Sequence, residues 1–212
     1  MKKNSTDMRQ VFPELDTISN QTWAEAAASI WSEVFERSAW ERLEDAPFSL
    51  GTAGVSLIGH TRAVLLHALA IADSLQTIHG LDVSVERDVL IVGCLLHDVD
   101  KLLALAPDGK GGYAPTEIGR SFQHGFYSAY YAEKAGLPAC IVTMIINHTA
   151  FSRMMPATLE STILYFADMA DAEVVKFTYG HPSSVLKAIG KLPVHQPEAK
   201  TIACKQERRK PE

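Results

Sequence analysis

The sequence predicts an all-α, single-domain fold of about six to eight helices. Three observations carry that prediction. Apolar residues recur at helical spacing through most of the chain, and no segment shows the sustained alternation of a half-buried strand. Gly and Pro gather in breaks between the periodic runs. The 212 residues, 47% of them hydrophobic and 21% charged, suffice for one domain with a substantial core and are few for two.

The elements follow in order. Up to about residue 20 the chain is polar and reads as loosely held. From Gln21 to Leu43, Trp23, Ala27, Ile30, Trp31, Val34, Phe35 and Trp40 fall largely on one helical face. "EDAPFSLGTAG" breaks the pattern as a loop does. "SLIGHTRAVLLHALAIADSLQTIHG" reads as a second helix, with Gly80 suited to its C-terminal cap. A third runs from Val85 to Ala106, with Asp82 or Ser84 as candidate N-cap, and is apolar on nearly every side, as a central helix is. The stretch from Pro107 to Gln123 is too rich in Gly and Pro for a helix and reads as a functional loop or small hairpin. Helices resume over 122–135, over 138–151 with Pro in the first turn, and over 157–178. A short helical piece fits 183–189, and "KQERRKPE" ends the chain as a charged, solvated tail.

Composition excludes several function classes. A formal charge of −5 exerts no general pull on nucleic acid or anionic membrane. The apolar runs are interrupted well short of a membrane span. Cys94, Cys140 and Cys204 form no CxxC pair, which suggests reduced packing thiols in a cytoplasmic protein. The chain shows no signal-peptide pattern at its start.

Against that bland background, "LLHDVDKLL" stands out: His97, Asp98, Asp100 and Lys101 are set into a run that should be buried. Charged groups are rarely buried unless paired or bound to metal. Neighbours on a helix point about 100° apart, so His97 and Asp98 could both reach an ion above the groove between them. The two oxygens of Asp98 could bridge two ions. Lys101 follows Asp98 by three residues and shares its face, either to neutralise a phosphate oxygen or to pair with Asp100. Asp100 turns away from the Asp98 side, which suits a surface or supporting carboxylate.

Further histidines and acids sit beside apolar stretches of other helices: His60 in "GHTRAV", His124 in "QHGFYSAYYA", His148 in "IINHTAFSR", and Asp168 and Asp171 in "ILYFADMADAE". Helix bundles build metal sites from such inward-facing side chains. His67, two turns after His60, suits a supporting or core role, whereas His79, His181 and His195 read as surface or helix-end residues. Arg153 either meets an anionic substrate or sits solvated at a helix end. Lys110, Tyr113 and Arg120 lie in the long loop, where they could close over a substrate.

This pattern resembles the HD-domain superfamily of metal-dependent phosphohydrolases, whose motif is a distant His, a paired His-Asp and a late Asp on separate helices. Here those positions match His60, His97–Asp98 and Asp168, with "LLHDVDK" similar to the family's HD helix and its trailing Lys. His124 and His148 match the extra histidines of two-metal members, and the family text favours Asp168 over Asp171. The resemblance covers roughly residues 55 to 180 and implies an HD-type helical core there. The segment 1–54 then contributes one helix packed on that core, and 181–212 is an extension with a charged tail.

The resemblance implies two divalent ions held by His60, His97, Asp98, His124, His148 and Asp168. They would polarise a water for attack on a phosphate ester or nucleotide. Asp98 and Lys101 take catalytic roles, and Lys101, Arg153 and Tyr113 substrate contacts. Such ligands suit iron or manganese ahead of zinc, nickel, cobalt or magnesium. "QHG", "NHT" and "ILYFADMAD" look most like small bacterial enzymes that hydrolyse dinucleoside polyphosphates, although those continue Thr-Gly where this chain reads "HTAFSR". The partner implied is a small phosphorylated molecule, with no membrane and no nucleic-acid polymer, and homo-oligomerisation is left open. Two other readings share the ligand set: a di-iron oxygenase cleaving a C–C or C–P bond, and a non-catalytic metal-binding sensor.

Overall fold

The structure is a computed structural model that describes residues 6–52, 54–150, 152–181, 183 and 185. The described residues are mostly helical, as the periodicity predicts, with one small hairpin among them. Residues 6–20 are not loose. Helix α1 (Met8–Val11) and a 3₁₀ turn (Pro13–Thr17) bury Met8, Phe12, Leu15 and Ile18. Those apolar residues are spaced four, three and three apart, a helical spacing that the polar residues and Pro13 between them obscure. Asp88 fixes the segment by accepting hydrogen bonds from the backbone N–H groups of Ser19 (3.0 Å) and Asn20 (2.8 Å).

Helix α2 (Gln21–Arg37) begins where the Asn20 side chain accepts the Trp23 N–H. Helix α3 (Leu57–Thr77) is capped by Ser56 in the same way. Gly80 lies beyond the end of α3 in the left-handed region, with φ +63°.

The long central helix is two helices, α4 (Arg87–Leu96) and α5 (Lys101–Ala104), joined by a tight turn over 97–100. Neither Asp82 nor Ser84 caps α4; Glu86 occupies the N-cap without a side-chain bond. Instead, the Glu160 carboxylate accepts the Glu86 N–H at 2.9 Å. Every residue of α4 from Leu90 to Leu96 is buried, and the helix packs against α2, α3 and two helices later in the chain. In the turn, backbone bonds run three residues back, from Val99 to Leu96, Lys101 to Asp98 and Leu102 to Val99. This tighter winding brings side chains three apart almost into register, which sets Lys101 over Asp98. Two carbonyls in the last turn of α4 find side-chain donors: Cys94 O accepts His97 Nδ1–H (2.7 Å) and Leu95 O accepts Trp31 Nε1–H (2.8 Å).

Strands β1 (Leu105–Pro107) and β2 (Tyr113–Pro115) make an antiparallel hairpin, the small alternative the loop's length allowed. Lys110 lies exposed at its tip. A short helix, α6 (Glu117–Ser121), forms after it despite the Gly content, capped by Thr116. Helices α7 (Phe126–Lys134) and α8 (Ala139–Ile146) pack on each other. Helix α9 (Leu159–Thr178) starts with a reciprocal cap between Thr158 and Ser161 and lies along α3. Among the described residues no helix is long and apolar enough to cross a membrane. The expected helical piece over 183–189 falls mostly outside the described residues, as do His195, Cys204 and the charged tail.

Candidate metal centre

The ends of α4 and α8, the turn before α7, the first turn of α3 and the middle of α9 all meet at one point. The structure gathers there His60, His97, Asp98, His124, His148 and Asp168, together with Lys101. Apart from His124 and Lys101, each of these residues is buried.

The residues form two groups that share Asp98: His60, His97, Asp98 and Asp168, and Asp98, His124 and His148. His60 Nε2 lies 3.1 Å from both Asp98 Oδ2 and Asp168 Oδ1. His97 Nε2 lies 3.4 Å from Asp98 Oδ2 and 3.8 Å from Asp168 Oδ1. On the other side, Asp98 Oδ1 is 2.6 Å from His124 Nε2 and 3.4 Å from His148 Nε2. Those two nitrogens are 3.2 Å apart. Asp98 thus presents one oxygen to each group.

Every imidazole Nδ1 faces an oxygen. His97 Nδ1–H donates to Cys94 O at 2.7 Å and His148 Nδ1–H to Ile145 O at 2.5 Å, each ring folding back on the helix it ends. His60 Nδ1 faces Asp171 Oδ2 at 2.7 Å, and His124 Nδ1 faces Asp100 Oδ1 at 3.2 Å. All four Nε2 atoms are left pointing inward. Such partners on the far nitrogen orient metal-binding histidines and raise their basicity.

The donor set fits divalent ions. Nε2 of His60 and of His97 and Oδ1 of Asp98 are buried without a directed hydrogen bond, an arrangement that is costly unless something else occupies the centre. Two ligands about 2.1 Å from one ion are about 3.0 Å apart at right angles and about 3.4 Å apart in a tetrahedron. Most of the distances above lie near those values.

The electrostatics agree. Burial opposes ionisation of Asp98, yet Lys101, His97 and His124 hold its carboxyl well below the usual range. Asp168 is also lowered, because its bond to His60 and the charge of His97 outweigh burial. Burial opposes protonation of His60, but Asp168, Asp171 and Asp98 raise it to about 10. His124 rises to about 9 against burial, through Asp100 and Asp98. Burial lowers His148. Two bound protons thus counter the clustered carboxylates, a task that divalent cations perform in their place.

Other expectations resolve differently. Of the two places expected for Asp100, surface or supporting, the structure gives the second: it is 4% exposed and faces His124. Lys101 pairs with Asp98, not with Asp100. Its Nζ sits 5.1 Å from the centroid of the Phe48 ring, which also stacks on His60 at 4.4 Å. Phe48, in an irregular loop, gave no sequence signal.

Asp171 takes the supporting place, on the far nitrogen of His60. His67 does not support the site: it lies on the exposed side of α3, where the helix has moved away from the cluster. Arg153 is exposed after α8, and the Tyr113 hydroxyl donates to Ser49 O at 3.3 Å. Among the described contacts, neither touches the cluster. Arg120 bonds to Pro115 O, and His79 and His181 are exposed.

Residues 57–173 match the family model described as HD domain. The chain is also similar to dihydroneopterin 2′,3′-cyclic phosphate phosphodiesterase of Methanocaldococcus jannaschii, with 29% identity over 119 residues. That similarity covers 56% of this chain and 47% of the relative, so the chain spans about half the length of that curated protein. No solved structure matches the chain. With the family model matched across more than half of its length, the chain belongs to the HD-domain family.

Proposed function

We propose that the chain is a metal-dependent phosphohydrolase that cleaves a phosphoester bond in a small phosphorylated molecule. The observation that carries this reading is the convergence of four Nε2 atoms on the two oxygens of Asp98, with every Nδ1 turned outward to face an oxygen. His60, His97, Asp98 and Asp168 would hold one ion, and Asp98, His124 and His148 a second. Divalent ions bound there supply Lewis acidity, which lowers the pKa of water and offsets charge on phosphoryl oxygens. Iron and manganese suit this mixed donor set best.

The chain's own residues do the rest. Asp98 couples the two groups, so its geometry governs both. Lys101, half-buried at the edge of the cluster, keeps an ammonium beside the centre that can turn to a phosphoryl oxygen. The closely packed walls limit water to the open side, where His124 has 30% of its side chain exposed. Arg153 and Tyr113 stand further out, as contacts for the rest of the substrate. The core over 55–180 carries the chemistry, and 1–54 braces it. The named substrate of the relative, a cyclic phosphodiester, supports a phosphodiester as the bond cleaved here.

The test is protein purified without chelator, analysed for metal, and assayed on cyclic and linear phosphodiesters with Mn(II) under air and under argon. Hydrolysis should be equal in both atmospheres and lost in His97→Ala and Asp98→Ala. Loss of turnover under argon would mean an oxygenase, and activity unchanged in both variants would remove the cluster from the reaction.

A further inference from the structure

The two halves of the cluster differ in how firmly their ligands are held, and the difference runs through Asp100. His97 and His148 are tied to carbonyls of their own helices and His60 to a carboxylate, all at 2.7 Å or less. His124 sits in a turn, not in a helix, and reaches Asp100 Oδ1 only at 3.2 Å.

Asp100 itself is anchored. Its Oδ2 accepts the Gly125 N–H at 2.7 Å, and its own N–H donates to Ser128 Oγ at 3.0 Å. Its Oδ1 is buried and makes no directed hydrogen bond as the rings stand. A modest rotation of the His124 imidazole would give that oxygen its donor. Gly125 closes the arrangement from the other side. A Cβ there would come within 3.3 Å of His148 Cε1 and Ile145 O, and φ of +87° favours glycine. The turn that carries His124 is therefore clamped between Asp100 and His148.

We propose that Asp100 is a positioning residue that sets the metal affinity of the His124–His148 half alone, making that half the weaker and more exchangeable of the two. The proposal rests on the metal-binding reading above. The half built from His60, His97, Asp98 and Asp168 is closed and its imidazoles tightly held, so it fills first. The other half fills when Asp100 orients His124 and strengthens its Nε2 as a donor. Its occupancy then follows the free metal concentration, and hydrolysis that needs both ions follows with it.

The experiment titrates the metal-stripped full chain with Mn(II), counting bound ions and recording electron paramagnetic resonance spectra. Wild-type protein should bind in two steps, an isolated-ion spectrum giving way to an exchange-coupled one as Asp98 links the pair. Asp100→Ala should weaken the second step by roughly 10–100-fold and leave the first within about threefold. Asp100→Asn keeps an acceptor for Gly125 without the charge, and should fall between Ala and wild type. It decides the matter if Asp100→Ala does not fold. In His124→Ala the second step should vanish, and adding Asp100→Ala should change nothing more. Equal weakening of both steps, or a second step unchanged in Asp100→Asn and Asp100→Ala, overturns the role of Asp100. Wild-type protein that binds fewer than two ions removes the two-ion reading beneath it.

Discussion

Exchange of protons for metal ions at the cluster should be directly countable. Without metal, His60 titrates near a pH of about 10 and His124 about 9, so both carry a proton at neutral pH. His148, lowered by burial, carries none there. An imidazole binds metal only through a free lone pair. Loading the first half therefore expels the His60 proton, and loading the second expels that of His124. About two protons should leave per chain near neutrality, and the product of the two apparent affinities should rise about a hundredfold per pH unit up to about pH 9.

The sign carries over to stability. Because both pKa values are raised on folding, the metal-free protein draws stability from these protons fully below the ordinary imidazole value near 6.5. That stability is lost as pH rises through about 9 to 10. Asp98 and Asp168, whose pKa values are lowered, contribute above the ordinary carboxylate value, and this is lost as pH falls through their depressed values. The gain in melting temperature on adding Mn(II) should thus grow between pH 6.5 and 8.5. Calorimetric titration under argon, in buffers of different ionisation enthalpy, measures the proton count. Release of less than about half a proton per chain, or a pH-independent gain in melting temperature, would refute the electrostatic account.

Further outcomes follow from the same contacts. Asp171→Asn removes the carboxylate that faces His60 Nδ1 at 2.7 Å and should weaken the first binding step by roughly 10–100-fold, measured by equilibrium dialysis. Trp31→Phe deletes the donor to the buried Leu95 carbonyl and should destabilise the fold by about 1–3 kcal/mol in urea unfolding. Gly119→Ala should destabilise more than Gly93→Ala. At Gly119 the new Cβ would lie 2.3 Å from the Ala104 backbone oxygen, whereas at Gly93 it meets the end of the flexible Met144 side chain. Equal losses in thermal unfolding would contradict that distinction.

The helical class, the breaks between helices and the buried character of α4 were legible because amphipathic periodicity is a local property of the chain. The histidines and acids were legible for a related reason, since charge within an apolar run demands a partner wherever the run folds. Local pattern failed in identifiable places. Residues 6–20 looked polar, yet four spaced apolar side chains anchor them to the core. The helix through His97 looked continuous, but Trp31 and the His97 ring take carbonyls near its end, where the backbone tightens. His67 follows His60 by two turns, yet it is exposed where His60 is buried, because the cluster meets only the first turn of α3.

By itself, then, the sequence determined that this is a helical protein, and it singled out six imidazoles and carboxylates by their resemblance to a family pattern. Only the tertiary structure decided their division into two groups joined by Asp98, the pairing of Lys101 with Asp98, and the places of Asp171 and Asp100 behind His60 and His124. The reason is geometric. Periodicity says which face of a helix turns inward, but the nitrogen an imidazole offers depends on an acceptor that arrives from a distant part of the chain or from a carbonyl freed at a helix end.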